Sequence, residues 1–214
     1  GGAGNDTSDG DEGRDTVYAG TEDDSVFGSE GDDSLFGGSG DDSLFGEADN
    51  DFVTGDSGND SLDGGAGDDT INGGGDADTL TGGAGDDLFI GATWQLEADT
   101  ITDFTAGDRI RVDRASFFAS DMTTTVVGGN TQFAIDTDQN GTADLFFTLT
   151  GTFGTAFQLI TSGNFTEIFL PSTGSGSTWV GDNFSNNHVA TNGDDHLSGL
   201  GGDDQLTALD GTDT

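Results

Sequence analysis

Ten aspartates stand nine residues apart in the first ninety positions: Asp6, Asp15, Asp24, Asp33, Asp42, Asp51, Asp60, Asp69, Asp78 and Asp87. A carboxylate can serve as an acid, a base, a nucleophile or a hard oxygen ligand, and spacing decides among these. Acid–base catalysis needs one unique pair of groups with matched environments. Ten equivalent groups at a fixed period form a lattice instead, and such a lattice calls for a cation. The surroundings repeat with the aspartate. The first position of each nine-residue unit is glycine except for Ala19, and the eighth is apolar except for Ser8. Those apolar residues are Val17, Val26, Leu35, Leu44, Val53, Leu62, Ile71, Leu80 and Phe89. A formal charge of −38 with four arginines and no lysine otherwise suits a disordered tail. Disorder does not require a period of nine.

The unit has the form G-G-x-G-x-D-x-U-x, the nonapeptide of calcium-binding solenoids. Over residues 1–90 the chain thus resembles the repeats-in-toxin (RTX) family. The resemblance implies a right-handed parallel β-roll with two units per turn. It also implies calcium between successive turns, shared by aspartates two units apart and by main-chain carbonyls. Eight such pairs run from Asp6–Asp24 to Asp69–Asp87. Oxygen ligands of this kind suit calcium better than magnesium, which demands a strict octahedron, or zinc, which prefers nitrogen and sulfur.

The glycine-rich half of each unit suits a tight turn. The three residues x-U-x suit a short strand with U inward and its neighbours outward. One buried apolar side chain per nine residues does not offset the entropy of ordering them, so the array should not fold without its ions. Glu22, Asp49 and Asp76 replace the fourth-position glycine, which leaves a different coordination open in those turns. Tyr18, Phe36 and Phe52 fall on even units, Phe27 and Phe45 on odd ones. They make either ordinary cross-strand pairs on a solvated face or a contact surface for a neighbour.

After Asp87 the period stops, and residues 91–191 carry both tryptophans and the single proline. Alternating stretches predict strands at Thr100–Phe104, Arg109–Val112, Thr124–Val127, Thr131–Asp136, Ala143–Leu149, Ala156–Thr161 and Glu167–Leu170. Gly128-Gly129-Asn130 reads as a hairpin turn. Asp99 to Asp108 reads DTITDFTAGD, which resembles the D-x-I-x-D-F-x-x-G-D motif that follows the roll in serralysin-type secreted proteins. That resemblance implies a cap closing the open strand edge of the roll. Asp136, Asp138, Asn140 and Asp144, with Gly141 at the sixth position, resemble the first half of an EF-hand calcium loop; Phe147 stands where the bidentate glutamate would be. A plain hairpin at Asn140-Gly141 fits equally. Arg109, Arg111 and Arg114 cluster; Arg109 and Arg111 share a strand face, paired with carboxylates such as Asp108 and Asp113 or docked on an acidic roll. The nonapeptide returns at Gly193 with Asp195, Asp204 and Asp213.

The expected fold is therefore all-β: a right-handed parallel β-roll over 1–90, a β-rich cap over 91–191 and the start of a second roll over 192–214. Neither H-E-x-x-H, G-x-S-x-G nor a P-loop occurs, and His188 and His196 suit solvated positions, so no enzyme is expected. The negative charge excludes nucleic acid and anionic membrane surfaces as partners. There is no cysteine and no apolar run of about 20 residues that would span a bilayer. The chain opens inside a repeat at Gly1, which reads as a piece of something longer. By resemblance it is extracellular, exported unfolded, and structural: part of a fibre, adhesin or surface layer. Half-sites at the two ends raise calcium-dependent head-to-tail assembly with copies of itself. The alternative is the secretion and folding module of a hydrolase, protease or epimerase.

Overall fold

An inward residue every nine positions, flanked by Ser, Thr or aromatic side chains, builds strands with one buried and one outward face. In the computed structural model these strands form two parallel sheets, each contributing one row of inward side chains to a shared core. The structure describes residues 1–113, 117, 119–153, 157–162 and 165–170, together with four short strands further on. Even-numbered units feed one sheet through β3 (Thr16–Thr21), β5 (Ser34–Ser39), β7 (Phe52–Ser57), β9 (Thr70–Gly75) and β11 (Leu88–Ala92), with β1 (Gly2–Ala3), at the start of the first unit, on its edge. Odd units feed the other through β2 (Thr7–Asp9), β4 (Ser25–Glu30), β6 (Ser43–Ala48), β8 (Ser61–Ala66) and β10 (Thr79–Ala84). The registers follow the inward residues. Val17, Leu35, Val53, Ile71 and Phe89 line one sheet; Val26, Leu44, Leu62 and Leu80 line the other. This is a parallel β-solenoid, with no α-helix among the described residues.

The strands are longer than the three residues expected. From β3 to β10 each has six, and the second and third positions of the following unit pair in register as well, as Gly20 does with Gly38 and Thr21 with Ser39. A glycine with a paired backbone belongs to the strand, so the turn shrinks to positions four to six.

Stacking also outlasts the period. β12 (Thr100–Ile101) pairs in parallel with β10, and β13 (Arg109–Asp113) with β11, so that Ile101 and Ile110 continue the two inward rows. The chain then turns antiparallel. β18 (Phe165–Phe169) and β17 (Gln158–Ser162) extend the sheet of β13. β16 (Leu145–Leu149) lies parallel to β12 and leads to β15 (Asn130–Ile135) and β14 (Met122–Val127). All seven predicted strands of this region are present, some with shifted ends. The hairpin turn is there too: Gly128 (φ 63°) and Gly129 (φ 91°) join β14 to β15, the two positive φ angles of a type I′ turn. Phe133 stacks on Phe147 at 4.6 Å and meets Phe157 edge-on, widening the narrow inward row into an aromatic core.

Further on, β20 (Asn187–Val189) pairs with β17 and with β22 (Gln205–Thr207), and β19 (Thr178–Val180) pairs with β21 (His196–Ser198). The outward aromatics make cross-strand pairs: Tyr18 stacks on Phe36 at 4.7 Å, Phe27 on Phe45 at 5.1 Å, and Phe52 tilts against Phe36.

Candidate metal centre

Each turn rests on a backbone requirement. Position four takes a left-handed φ in every unit, from Gly4 at 105° to Gly85 at 149°. Glu22 (76°), Asp49 (75°) and Asp76 (81°) adopt the same conformation, so these three units keep the common turn despite lacking glycine. The turn brings position six to the edge of the core, and the aspartates from Asp24 to Asp87 are all buried.

Those aspartates form two columns, one per row of turns. In each, one carboxylate oxygen reaches back one turn and accepts the backbone N–H of the aspartate there. Asp24 Oδ1 accepts from Asp6 at 2.6 Å, Asp33 from Asp15 at 2.7 Å, and Asp42 from Asp24 at 2.8 Å. Asp51, Asp60, Asp69, Asp78 and Asp87 repeat the bond. The other oxygen, Oδ2, is buried without a hydrogen-bond partner in Asp24, Asp33, Asp42, Asp51, Asp60, Asp69, Asp78 and Asp87. One orphaned carboxylate oxygen would be a defect, since an unpaired buried polar atom costs about 1–3 kcal/mol. The same orphan in eight successive units is a design feature that a cation would complete.

The first-position glycines show where there is room. A Cβ added at Gly28 would lie 2.6 Å from Asp33 Oδ2 and 2.7 Å from the carbonyl oxygen of Gly46 in the next turn. At Gly37 the corresponding oxygens are Asp42 Oδ2 at 2.5 Å and Gly55 O at 2.8 Å, and Gly46, Gly55 and Gly64 repeat the arrangement. A carboxylate oxygen and a carbonyl oxygen from different turns thus converge on a space that any side chain would fill. Calcium takes six to eight such oxygens at about 2.3–2.6 Å, and the donor set fits it. Ala19, the one exception at this position, is buried and brings a methyl group into its turn.

The model of the RTX calcium-binding nonapeptide repeat matches residues 1–35, 18–53, 27–62, 54–89 and 180–214, more than half of the sequence. The chain belongs to the RTX calcium-binding repeat family. No curated protein matches it. Among solved structures it is similar to the AlgE6R3 subunit of the mannuronan C5-epimerase from Azotobacter vinelandii. Identity there is 21% over 65% of this chain and 71% of that one, with a TM-score of 0.22, too low to carry an argument.

Burial in the RTX columns acts on the carboxyls themselves. Desolvation pushes Asp51 and Asp60 up to about 7 and Asp69, Asp78 and Asp87 to about 6. The accepted N–H opposes this only in part. For Asp51 and Asp60 the like charges of column neighbours add to the rise. Asp33 and Asp42 are raised for the same first reason.

A second ladder escaped the sequence reading. At position five the side chain points forward and accepts the N–H of the residue one turn on. Asp23 accepts from Asp41, Asp41 from Asn59, and Asn59 from Ala77. On the other side Asp32 accepts from Asn50, Asn50 from Asp68, and Asp68 from Asp86. Arg14, in the same position, pairs with Asp32.

The loop from β15 to β16 brings carboxylate oxygens of Asp136, Asp138 and Asp144 within 4.8 Å of one another. Here the oxygens have partners. Asp136 accepts from the amides of Asn140 and Gly141, Asp138 from the amide and side chain of Asn140, and Asp144 from Thr137. Those bonds to Thr137 hold the Asp144 carboxyl below its ordinary value. Arg111 pairs with Asp113 at 3.0 Å, while Arg109 faces Glu167 at 4.0 Å; Asp108 instead accepts from Asp87 and Thr105. Asp195, Asp204, Asp213 and Arg114 lie outside the described residues.

Proposed function

We propose that this chain is a calcium-folded β-roll segment of a secreted protein, whose role is architectural: to order itself outside the cell and hold its flanking regions in place. The eight orphaned, buried Oδ2 atoms of the nonapeptide columns support this reading. Without ions the columns set raised, mutually repelling carboxyls at the edge of a narrow core. With ions the same oxygens become cross-links between turns. Calcium goes to the two columns, at about eight sites by the pairing of turns, rather than to the Asp136–Asp144 loop, whose oxygens are already satisfied. RTX repeats occur in secreted bacterial proteins, and calcium-dependent folding suits export of an unfolded chain into a calcium-rich exterior. No helix among the described residues is long and apolar enough to cross a membrane.

Circular dichroism during calcium titration tests the proposal. A cooperative rise in β signal, reversed by chelator, is expected because binding supplies folding free energy. A chain fully structured in excess chelator above neutral pH, where the column carboxyls are ionised, would overturn it.

A further inference from the structure

The nonapeptides do not end either column. Asp99 Oδ1 accepts the N–H of Asp78, and Asp108 Oδ1 that of Asp87, both at 3.0 Å. The offset has grown from 18 to 21 residues, but the contact is the one made throughout the roll.

At the second oxygen the two ends part. Asp108 Oδ2 accepts from the Thr105 amide at 2.6 Å and from the Thr105 hydroxyl at 3.2 Å. Asp99 Oδ2 has no partner, on a side chain that is 1% exposed. The difference lies three residues back. Thr105 brings a hydroxyl to Asp108, whereas Leu96, at the same place before Asp99, is buried and has no donor in its side chain. A buried anionic oxygen needs hydrogen-bond donors or a cation. Asp108 has the first, and Asp99 is left in the state of the aspartates inside the roll.

We infer that Asp99 is a calcium ligand, closing with Asp78 a site beyond the last nonapeptide, and that Asp108 is not a ligand because Thr105 stands in for the ion. This rests on the reading of the two columns as calcium sites. The columns are then unequal: the one that ends at Asp99 carries an ion at its last step, and the one that ends at Asp108 does not.

Calcium bound per chain, measured by equilibrium dialysis on the full chain, tests this. Asp99→Asn keeps an acceptor for the Asp78 N–H but loses the anionic oxygen, and should bind one calcium fewer than the parent. Asp108→Asn should bind the same number. A second variant guards against misfolding: Leu96→Thr retains the carboxylate and supplies a hydroxyl where Thr105 has one, and it too should lose one ion. An unchanged count in either variant that folds at saturating calcium overturns the inference, as does a lost ion in Asp108→Asn. A parent chain that binds no calcium would instead overturn the reading of the columns themselves.

Discussion

Neighbouring acidic residues in one turn do opposite work. Asp41 points forward and accepts the N–H of Asn59, a task needing only a carbonyl-like oxygen, which Asn50 and Asn59 perform as amides. Asp42 points back, accepts one N–H and leaves Oδ2 bare, which requires a charged group to make sense. Asp41→Asn should therefore change stability by less than about 0.5 kcal/mol. Asp42→Asn should raise the calcium midpoint by roughly tenfold, about 1.4 kcal/mol. Calcium titrations of the two variants side by side check this, and equal shifts would mean that the columns have been assigned wrongly. Position six was legible because its residue never varies. Position five was missed because Asn, Asp, Arg and Ala share it, and identity is the wrong signal when the structure requires only an acceptor.

At the scale of the strand and its turn, the inward residues and the hairpin are legible in the sequence, while the length of the strands and the reach of the stacking are not. Glycine suits a turn, yet at Gly20 and Gly38 its backbone is paired in a strand. The stacking runs on where the period has stopped: the insert carrying Trp94 and Leu96 leaves the register of Leu80 with Ile101 intact. Hydrogen bonds between turns constrain the strands, not the length of the connection. The turn itself carries strain at Glu22, where a non-glycine residue holds φ at 76°. An L-residue in that region costs about 1–2 kcal/mol, and glycine relieves it. Glu22→Gly should thus stabilise the calcium-loaded chain by about 1 kcal/mol in urea unfolding. A loss of stability would show that the Glu22 side chain contributes more than its backbone costs.

The whole molecule is a stack of like charges, −38 in all, whose fold concentrates carboxyls that water would keep apart. Protons and calcium are then alternative ways to neutralise the columns, and the two have opposite pH dependence. Asp51 and Asp60 in the folded chain sit at about 7 against an ordinary 3.8, and Asp69, Asp78 and Asp87 at about 6. A raised folded value means that the fold binds protons which the unfolded chain releases. In chelator, the ion-free fold should therefore gain stability as pH falls from about 7 towards 4, and lose it as pH rises through the folded values. Calcium needs the deprotonated oxygens, so its midpoint should move the other way and weaken by at least about tenfold between pH 8 and pH 5.5. Circular dichroism at several pH values, with calcium and with chelator, separates the two trends. β signal gained on acidification in chelator, together with a rising calcium midpoint, is expected of a column that must be neutralised to stack. A calcium midpoint independent of pH would place the bound ions on carboxylates other than these.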